Sequence, residues 1–533
     1  MGHGSSPAGD RTMIDLAEYD RFRYDNFPFR ATNPDWLGTA GSLLGLTTAP
    51  ANSCRVLELG CGRGGNLVGL AAAFPESNFI GIDHAPSQIA DAQADTASLG
   101  LRNCEFRSLD IRHIGNDLGE FDYIICHGVF SWVPDDVRDQ ILTLQRSMLA
   151  PGGVGFISFN ALPGWSARGM IREMLRRWVP EGPADQMAAN ARRILAMWQQ
   201  HSPENGPLSG FLAHEAELLQ KLSDHYLYFE HLVEHNKPYL LTDFVDLVNR
   251  AGLAYLGDAD LASMNPAQLG DDGQADVESL GLDRVATEQL LDDITIRFFR
   301  RALVCRAEDL PDATQDHRRL AGAWVSSEMT INEMDLDLDG SGGGSIDMTL
   351  TDSDGATLRP EDPHTAAVLW SLAEHRPTGV VIEDLAAEVA SRLGRAVDDS
   401  LVDETLEIVH ALVLRGRLDA GRHPRQIAAD IAERPCTTPL ARFQALEDRR
   451  IITTARHDHF VADRMDLVLL RNLDGEHDHH QLLAEVVAAL ESGELEVTID
   501  DEFVNDHAVL AELITTKLDQ FHLAGLVVTQ SPV

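Results

Sequence analysis

The fold is decided by the stretch Val56-Leu-Glu-Leu-Gly-Cys-Gly-Arg-Gly-Gly65. The apolar residues at 55–59 predict a buried strand, the glycines predict a tight turn, and a helical pattern begins at Asn66. A glycine-rich turn between a strand and a helix lets a ligand approach the backbone closely, and the helix N-terminus presents N–H groups that lack partners. The turn alone is a weak signal, because dinucleotide-binding folds use a similar one.

Strand-like segments that follow the turn narrow the interpretation. Residues 79–83 form a short apolar segment that ends in Asp83, and a third strand is expected to end at Leu109-Asp110-Ile111. Residues 121–127 predict a fourth strand, and residues 154–160 predict a fifth after a turn at 151–153. Strand and helix patterns that alternate in this way predict a parallel sheet with crossover helices. In such an open sheet, ligands bind outside the carboxyl ends of the strands.

Together these segments resemble the S-adenosylmethionine (SAM) site of a class I methyltransferase. Backbone groups of the turn can bind the carboxylate and ammonium of SAM, and Asp83 can accept hydrogen bonds from both ribose hydroxyls. Asp110 can accept a hydrogen bond from the adenine amino group, while Ile111 offers an apolar surface to the ring. A plain helix cap at Asp83 and a plain turn at Asp110 are the alternatives. The expected cofactor contacts are Glu58, Gly60, Cys61, Gly62, Gly64, Asp83, His84, Gln88, Asp110, Ile111, His127, Gly128 and Val129.

Two of these residues carry chemistry of their own. His127 follows the fourth strand, where the methyl-bearing sulfur is expected, and it can be a base, a cofactor contact or a structural histidine. Cys61 lies inside the turn, and we interpret it as a small residue that fits the bend rather than as a nucleophile.

Composition limits the possible functions. The chain has 533 residues, which is enough for about three domains. Its formal net charge is −41, which would repel nucleic acids and attract basic partners, although acidity also serves solubility alone. No apolar run reaches the roughly 18 residues that span a bilayer, and the N-terminus lacks the apolar core of a signal peptide. The six cysteines include no CxxC pair, so we expect a cytoplasmic protein with reduced thiols.

Pattern and composition divide the chain into five segments. The first is an N-terminal arm that is rich in aromatic residues and is expected to cover the active site. The second shows the α/β pattern, the third is mostly helical, and the fourth is an acidic linker with a Gly-Ser run. The last mixes helices with short apolar strands such as 525–529. The expected bounds are 1–45, 46–165, 166–305, 306–345 and 346–533.

A wider resemblance extends beyond the SAM site. The segments Leu222-Ser-Asp-His-Tyr-Leu-Tyr-Phe-Glu-His231 and Thr242-Asp-Phe-Val-Asp-Leu-Val-Asn-Arg-Ala-Gly-Leu-Ala-Tyr-Leu-Gly257 resemble the methyltransferase regulatory domain. The stretches His127-Gly-Val-Phe-Ser-Trp-Val-Pro134 and Asn160-Ala-Leu-Pro-Gly-Trp165 are typical of the same family. The tail, with Arg434-Pro-Cys-Thr-Thr-Pro-Leu-Ala-Arg442, is similar to that of bacterial, rickettsial-type protein lysine methyltransferases.

The resemblance implies the architecture. We expect an α/β fold with a seven-stranded Rossmann-like SAM methyltransferase sheet, a helical regulatory domain, and a C-terminal α+β winged-helix-like domain. One departure affects the arm, because the family has Gln-Thr-His-Pro where this chain has Ala31-Thr-Asn-Pro34. If the arm covers the acceptor pocket, the acceptor can differ from that of the family.

Methyl transfer to an amine needs a neutral amine whose lone pair is aligned with the methyl group of SAM. Burial in an apolar, aromatic pocket lowers the pKa of an amine, and aromatic faces also tolerate a methylated cation. Tyr24, Phe27, Trp132 and Trp165 are candidate walls, although the tryptophans can simply pack the core. The block Asn160–Trp165 of the family motif adds Asn160 as a substrate contact. Tyr24 can orient or deprotonate the acceptor, so Tyr24 and His127 are the catalytic candidates.

The sequence leaves three functions open. The first is N-methylation of lysine or another amine of a protein or peptide. The second is methylation of a small molecule at nitrogen or oxygen. The third is a catalytically inactive scaffold with a SAM fold. The large accessory region favours a protein or peptide partner over a small one, and the acidity argues against nucleic acid. The oligomeric state stays open. The clusters His457-Asp-His459 and His477-Asp-His-His480 are interpreted as solvated surface histidines, so no metal is expected.

Overall fold

The computed structural model describes residues 16–23, 27–203, 206, 208–311, 316–336, 346–352, 355, 357–499 and 502–529. Its centre is a seven-stranded sheet with the strand order β3-β2-β1-β4-β5-β7-β6. Strands β1 to β5 run parallel to one another, whereas β7 is antiparallel to both β5 and β6. The strands are β1 (Arg55–Leu59), β2 (Asn78–Asp83), β3 (Cys104–Ser108), β4 (Phe121–Cys126), β5 (Leu149–Asn160), β6 (Leu253–Asp258) and β7 (Phe299–Arg306).

The predicted sheet is confirmed, but it is not contained in residues 46–165. Strands β6 and β7 come from the segment predicted as mostly helical, and they complete the far edge beside β5. The helical periods on either side of these two strands hide them in the sequence, since β6 is short and buried at every position. The regulatory segment is therefore an insertion between β5 and the last two strands of the sheet.

Two smaller expectations about the sheet were wrong. The third strand ends at Ser108, because Asp110 already caps a 3₁₀ helix by accepting a hydrogen bond from the N–H of Arg112 at 2.9 Å. The turn expected at 151–153 lies inside β5, whose pairing with β4 shifts register near Phe121. Gly152, with φ of +73°, accommodates that irregularity without ending the strand.

Helices cover both faces of the sheet. On one face α2, α3 and α4 bury apolar residues such as Leu37, Leu67 and Ile89, and on the other α5 and α10 bury Ile141 and Phe244. The helices up to β7 are α1 (Leu16–Arg21), α2 (Pro34–Leu43), α3 (Gly65–Ala73), α4 (Pro86–Ser98), α5 (Asp135–Met148), α6 (Gly164–Trp178), α7 (Ala184–His201), α8 (Ser209–Lys221), α9 (Asp224–His231), α10 (Leu241–Arg250), α11 (Gly270–Ser279) and α12 (Arg284–Thr295).

Helices α6 to α9 pack around a core of their own, which includes Leu175, Leu195, Leu219 and Leu227. This core belongs to the insertion between β5 and β6. None of the helices in the described ranges combines the length and the apolar character that crossing a bilayer requires.

The C-terminal part contains two separately packed regions. The first continues the core on the α3 side of the sheet, and the second has its own core around Val468, Val486 and Phe521. The first holds β8 (Trp324–Ser326), β9 (Thr330–Leu336), β10 (Ile346–Thr351), β11 (Thr357–Leu358), α13 (Pro363–Glu374), β12 (Val380–Val381), α14 (Ile382–Arg392), α15 (Asp399–Leu414) and β13 (Asp419–Gly421). The second holds α16 (Pro439–Leu446), β14 (Ile451–Thr453), β15 (His459–Val461), α17 (Arg464–Asn472), α18 (His479–Ser492), β16 (Thr498–Ile499), β17 (Glu502–Phe503) and α19 (His507–Leu523).

This arrangement corrects two sequence interpretations. Residues 306–345, predicted as a linker, contain β8 and the edge strand β9, because the apolar residues of β8 pair with β12 and β13 far along the chain. The Gly-Ser run at 340–345 lies outside the described residues. The apolar segment 525–529 is not a strand, since Val528 makes only an isolated bridge to Ile427 and its neighbours are buried by α19 and α17.

A buried ion network joins α12 to the edge strands β6 and β7. The side chain of Arg300 is fully buried, and its guanidinium donates to Asp292 at 2.7 Å and to Glu288 at 3.0 Å. Asp258 lies 3.4 Å from the same group, and the hydroxyl of Tyr255 donates to Glu288 at 2.6 Å. Arg297 also pairs with Asp292 at 2.7 Å and Arg284 lies 3.7 Å from Glu288, but Arg300 is the cation that all three buried carboxyl groups share. Their charges would otherwise be costly in the interior.

Replacement of Arg300 should therefore be strongly destabilising. We expect Arg300→Met to lower the free energy of unfolding by roughly 3–5 kcal/mol, because it leaves buried carboxylates unpaired. Chemical denaturation monitored by circular dichroism measures the change. Arg318→Met is the matched control, since Arg318 is exposed and pairs with Asp403 at the surface. Equal midpoints for both variants would contradict the role of the network.

Candidate active site

The glycine turn brings β1 close to the segment that follows β4. Gly60 has a φ of +79°, and a Cβ there would clash with the side chain of Val129. Gly64 has a φ of +74°, and a Cβ on it would lie 2.5 Å from Cζ of Phe106. The N–H groups of Gly60 and Cys61 donate to the carbonyl of Ile82 at 2.8 and 3.1 Å, which ties the ends of β1 and β2 together. Only glycine permits this close backbone packing.

Asp83 holds the same turn from the end of β2. Its carboxylate accepts hydrogen bonds from the N–H of Gly62 and the N–H of Ala85, each at 2.9 Å. The residue is 2 % exposed. The ring of His84 stacks on Tyr19 of the arm, with ring centroids 4.8 Å apart. The arm therefore lies over the end of β2, beside the turn.

Glu58 presents a buried carboxyl with a free oxygen. One oxygen accepts a hydrogen bond from the side-chain amide of Asn66 at 2.9 Å, while Oε2 is buried and has no hydrogen-bond partner among the described residues. Burial raises the pKa of Glu58 to about 8, against the opposing hydrogen bond from Asn66. An orphaned acceptor beside a cradle that only glycine allows suits the ammonium of SAM.

Asn66 connects three parts of the chain at this point. Its amide oxygen accepts hydrogen bonds from the N–H of Phe29 at 3.1 Å, from the hydroxyl of Thr32 at 3.0 Å and from Nε2 of His457 at 2.8 Å. His457 lies between β14 and β15 in the last domain. Asn66, in the first turn of α3, thus links the arm, the cofactor turn and the C-terminal region.

His457 is not the solvated surface residue that the sequence predicted. It is 4 % exposed, and burial lowers its pKa to about 3, so the ring is neutral at physiological pH. The prediction was wrong because local polarity around 457–459 does not reveal that α3 covers this loop. His479 and His480 are exposed, while Nδ1 of His477 donates a hydrogen bond to the carboxylate of Asp474 at 3.0 Å.

Potential metal ligands gather at one place in the described part of the chain. His317, Asp403 and Glu407 bring one ligand atom each within 4.8 Å of one another. These residues lie on the side of the first C-terminal region and take no part in lining the cavity described next.

A cavity of about 1020 Å³ opens beside the glycine turn and extends to the C-terminal region. The predicted residues that line it are Glu58, Gly60, Cys61, Gly62, Gln88, His127, Gly128, Val129, Phe27 and Trp132. Burial raises the pKa of the Cys61 thiol well above its usual value, so the thiol stays protonated, consistent with a packing role. Tyr24, predicted as a catalytic and substrate residue, lies outside the described residues.

Other predicted residues lie near the cavity without lining it. Gly64, Asp83 and His84 form the turn and its neighbourhood rather than the wall. Asp110 pairs with Arg112 at 2.7 Å, and Ile111 belongs to the 3₁₀ helix that follows β3. Neither residue lines the cavity, so a contact with the adenine ring from the position after β3 stays a prediction.

Two predicted substrate residues, Asn160 and Trp165, contact other side chains of the protein and do not line the cavity. The side chain of Asn160 is buried and donates to Asn236 at 3.0 Å, while its N–H donates to the hydroxyl of Ser131 at 2.9 Å. Trp165 is buried behind Trp132, with ring centroids 5.6 Å apart at a steep angle. The family motif containing them thus braces the wall, and Trp132 alone of the two tryptophans faces the cavity.

His127 is buried among aromatic rings at the end of β4. Its ring centroid lies 3.9 Å from that of Phe29 and 5.9 Å from that of Phe299. Burial lowers the pKa of His127 to about 3, with a further contribution from Arg301. Nδ1 is buried and has no partner among the described residues. A neutral imidazole with so low a pKa is a weak base at neutral pH, so contact with the cofactor suits it better than proton removal.

Several cavity residues were not found from the sequence. Tyr226, Phe229 and Glu230 reach the cavity from α9, and Tyr19 reaches it from α1. The sequence signal for the residues of α9 is the motif at 222–231, which is typical of the regulatory domain. That motif does not show which face of the helix points to the cavity. Residues between β8 and β15 complete the wall of the cavity on the side of the C-terminal region.

The strand order, the reversed seventh strand and a ligand cradle at the end of β1 define a class I SAM-dependent methyltransferase. Three families match the chain: "Methyltransferase domain" at 56–153, "Predicted methyltransferase regulatory domain" at 223–306, and "PKMT, C-terminal winged helix domain" at 433–525. The chain belongs to the family of SAM-dependent methyltransferases that join these domains. The predicted fold class and cofactor are thereby confirmed.

Individual relatives support the assignment. The chain is 34 % identical to an uncharacterised protein of Rickettsia prowazekii (strain Madrid E), over 43 % of this chain and 92 % of that protein. A second uncharacterised protein of that organism is 29 % identical over 98 % of this chain and 95 % of its own length. The solved structure of PKMT2 from Rickettsia typhi matches with a TM-score of 0.82 and 27 % identity, over 95 % of this chain and 100 % of that chain. The same protein has been solved in complex with AdoHcy.

The contact between His457 and Asn66 predicts a pH-dependent stability. We expect His457→Asn to lower the free energy of unfolding by about 1–3 kcal/mol at pH 7.5, because the buried amide oxygen loses a donor. Asparagine tolerates the positive φ of 58° at this position, so the backbone is preserved.

This difference should shrink as the pH is lowered. The folded pKa of His457, about 3, lies below the unfolded value of about 6.5, so the unfolded chain binds more protons below pH 6.5. The wild type should lose about 1.4 kcal/mol per pH unit there that the variant does not lose. Urea denaturation between pH 5 and 8 measures both, with His479→Asn as the exposed control. A penalty independent of pH would exclude the neutral, buried state of His457.

Proposed function

We propose that this SAM-dependent methyltransferase methylates the amino group of lysine in a protein or peptide. The support from relatives is the likeness to PKMT2 along nearly the whole chain, together with the resemblance of the tail to bacterial protein lysine methyltransferases. The winged helix domain of the PKMT type matches the tail as well. The likeness therefore includes the accessory regions and not only the SAM domain.

The observation that carries the proposal is the lining of the cavity. It runs from the glycine turn to the C-terminal region and combines aromatic walls with an excess of acids. Its basic side chains are Arg30, Arg301 and Arg417, and its acidic ones are Glu58, Glu230, Asp260, Glu328, Asp352, Asp419 and Asp458. A cationic acceptor such as the lysine ammonium suits an acidic approach, and aromatic faces stabilise its methylated form.

Residues around the turn would hold the cofactor. Glu58 would accept hydrogen bonds from the ammonium of SAM, and the backbone at Gly60 and Gly62 would approach its amino-acid part closely. Asp83 retains lone pairs beyond those used by Gly62 and Ala85, so it can also bind ribose hydroxyls. His127, Gly128 and Val129 would face the reacting end. When bound, SAM supplies an electrophilic methyl group on a sulfonium sulfur.

The remaining segments have proposed roles that follow from their places. The arm, residues 1–45, contributes Tyr19, Phe27 and Phe29 to the cavity and would cover the bound cofactor. The insertion after β5 would form the acceptor pocket, and the C-terminal regions would dock the protein that carries the lysine. The net charge of −41 favours a basic protein partner over nucleic acid.

Binding of SAM should release a proton near neutral pH. The carboxyl of Glu58 has a pKa of about 8 and is mostly protonated at pH 7, whereas an ammonium beside it favours the carboxylate. SAM affinity should therefore rise with pH up to about 8, and calorimetry in buffers of different ionisation enthalpy should show proton release. Glu58→Gln should weaken binding by about 1–3 kcal/mol and abolish the release.

The control for that experiment is Glu76→Gln, because Glu76 is exposed and lies away from the cavity. Its affinity and proton release should match the wild type. Unchanged proton release by Glu58→Gln would show that another group titrates on binding.

The acceptor can be identified by mass spectrometry. Purified enzyme, labelled SAM and a cell lysate, separated afterwards into protein and small-molecule fractions, should place the label on lysine side chains of proteins. The rate should fall as salt rises, because screening weakens the attraction of a basic partner to a chain with a net charge of −41. Label found solely on small metabolites, or on protein carboxyl and hydroxyl groups, would refute the lysine proposal and leave the methyltransferase class intact.

A further inference from the structure

Helix α9 presents an acid to the cavity from among aromatic side chains. Glu230 lies in its last turn and lines the cavity together with Tyr226 and Phe229 of the same helix and Trp132 after β4. Within the described ranges, the carboxyl group of Glu230 has neither a hydrogen bond nor an ion pair. An uncompensated acid in an aromatic pocket is costly unless a ligand supplies the missing charge.

The charged groups that face Glu230 are engaged elsewhere. Arg168 of α6 pairs with Glu215 at 3.0 Å and packs over the ring of Phe298 at 4.2 Å. Arg172 of α6 donates to backbone carbonyls, those of Glu230 at 3.3 Å and Glu234 at 2.9 Å. Both arginines lower the pKa of Glu230, but burial outweighs them and raises it to about 8. Tyr226 is the other titratable neighbour, and burial raises its pKa to about 12.

The other acids of the cavity have cationic partners. Ion pairs join Asp419 to Arg30 at 2.7 Å, Asp352 to Arg417 at 2.6 Å, Glu328 to Arg30 at 3.2 Å, Asp260 to Arg301 at 3.9 Å and Asp458 to His459 at 3.3 Å. Among the described lining residues this leaves Glu58 and Glu230. Glu58 adjoins the glycine turn and is suited to the ammonium of SAM. Glu230 reaches the cavity from α9 instead, where a second cation would find the remaining free carboxylate.

We propose that Glu230 binds the ammonium of the acceptor lysine and removes its proton, which makes Glu230 a catalytic residue of the proposed lysine methyltransferase reaction. An N–H bond of the ammonium breaks, its electron pair stays on nitrogen, and the proton forms an O–H bond with the carboxylate. The neutral amine then has the lone pair that methyl transfer requires. The proton passes to solvent when the product leaves.

The surroundings of Glu230 suit both parts of this role. The arriving ammonium favours the carboxylate, so its binding releases a proton from Glu230 and strengthens as the pH rises toward 8. Burial also brings the pKa of Glu230 within about two to three units of a lysine side chain, which makes proton transfer far less unfavourable than to an ordinary glutamate. Trp132, Tyr226 and Phe229 offer aromatic faces to the methylated cation.

The first test measures binding without turnover. Calorimetry on the AdoHcy-saturated protein uses n-butylammonium, which is the lysine side chain without its backbone, and neutral 1-butanol for comparison. Glu230→Gln keeps the size of the side chain and should weaken n-butylammonium binding at least about tenfold, with 1-butanol changed less than about twofold. No n-butylammonium binding by the wild type, or equal binding by the variant, would overturn the proposal.

The second test measures the pH profile of methylation with labelled SAM and the lysate protein fraction. Glu230→Gln should be slower by about 100-fold or more at pH 7.5, and the deficit should shrink toward pH 10, where free lysine amines form without a base. Glu230→Asp keeps the carboxylate and should keep a profile closer to the wild type. Glu217→Gln is the control, because Glu217 is exposed on α8 and pairs with Lys221.

The outcomes separate this inference from the proposed function. If the wild type labels no protein amine, the lysine proposal fails and the role of Glu230 fails with it. If the wild type labels lysines and Glu230→Gln does so at the same rate with the same pH profile, the role of Glu230 alone is excluded. SAM affinity within about twofold of the wild type shows that the variant is folded, since SAM binding needs the intact turn.

Discussion

The side-chain amide of Asn66 is the interaction on which the active site depends. It stands at the first turn of α3, donates to Glu58 and accepts from the arm and from His457. Each contact satisfies a buried polar group, and each partner comes from a different part of the chain. A buried amide held by these hydrogen bonds has little freedom to shift, so the cofactor turn, the arm and the last domain are held in one arrangement.

Charge pairing gives the cavity its polarity. Most of its acids are matched by arginines or by His459, so the excess charge is concentrated at two carboxyl groups, one at the end of β1 and one on α9. Glu58 is buried and Glu230 is half-buried, and desolvation raises the pKa of both to about 8. Such groups are costly in an empty site and gain most from a cationic ligand, which is a common property of functional sites. The reaction proposed here brings together two cations, the cofactor and the protonated acceptor.

The topology explains how a methyltransferase sheet acquires an acceptor pocket. The chain leaves the sheet at the carboxyl end of β5, forms α6 to α9, and returns to add β6 and β7. The insertion must therefore begin at the edge where ligands bind in an open α/β sheet. Helix α9 lies across that edge and contributes Tyr226, Phe229 and Glu230, while the Arg300 network fixes the returning strands. The accessory helices therefore form part of the wall of the site and are not merely joined to the sheet.

The sequence by itself determined the strand β1, the glycine turn, the alternation of strands and helices that makes a parallel sheet, and the class of enzyme. These features are local, because apolar runs, glycines and terminal acids act through neighbouring residues and the backbone. Only the tertiary structure decided that β6 and β7 complete the sheet, that His457 is buried against Asn66, that Asn160 and Trp165 brace rather than line the cavity, and that Glu230 faces it. These facts depend on contacts between residues far apart in the chain, and a single sequence carries no distance information between them. The pairing of charges across the cavity has the same origin, since Arg30 meets Asp419 only after the arm and the C-terminal region have packed together.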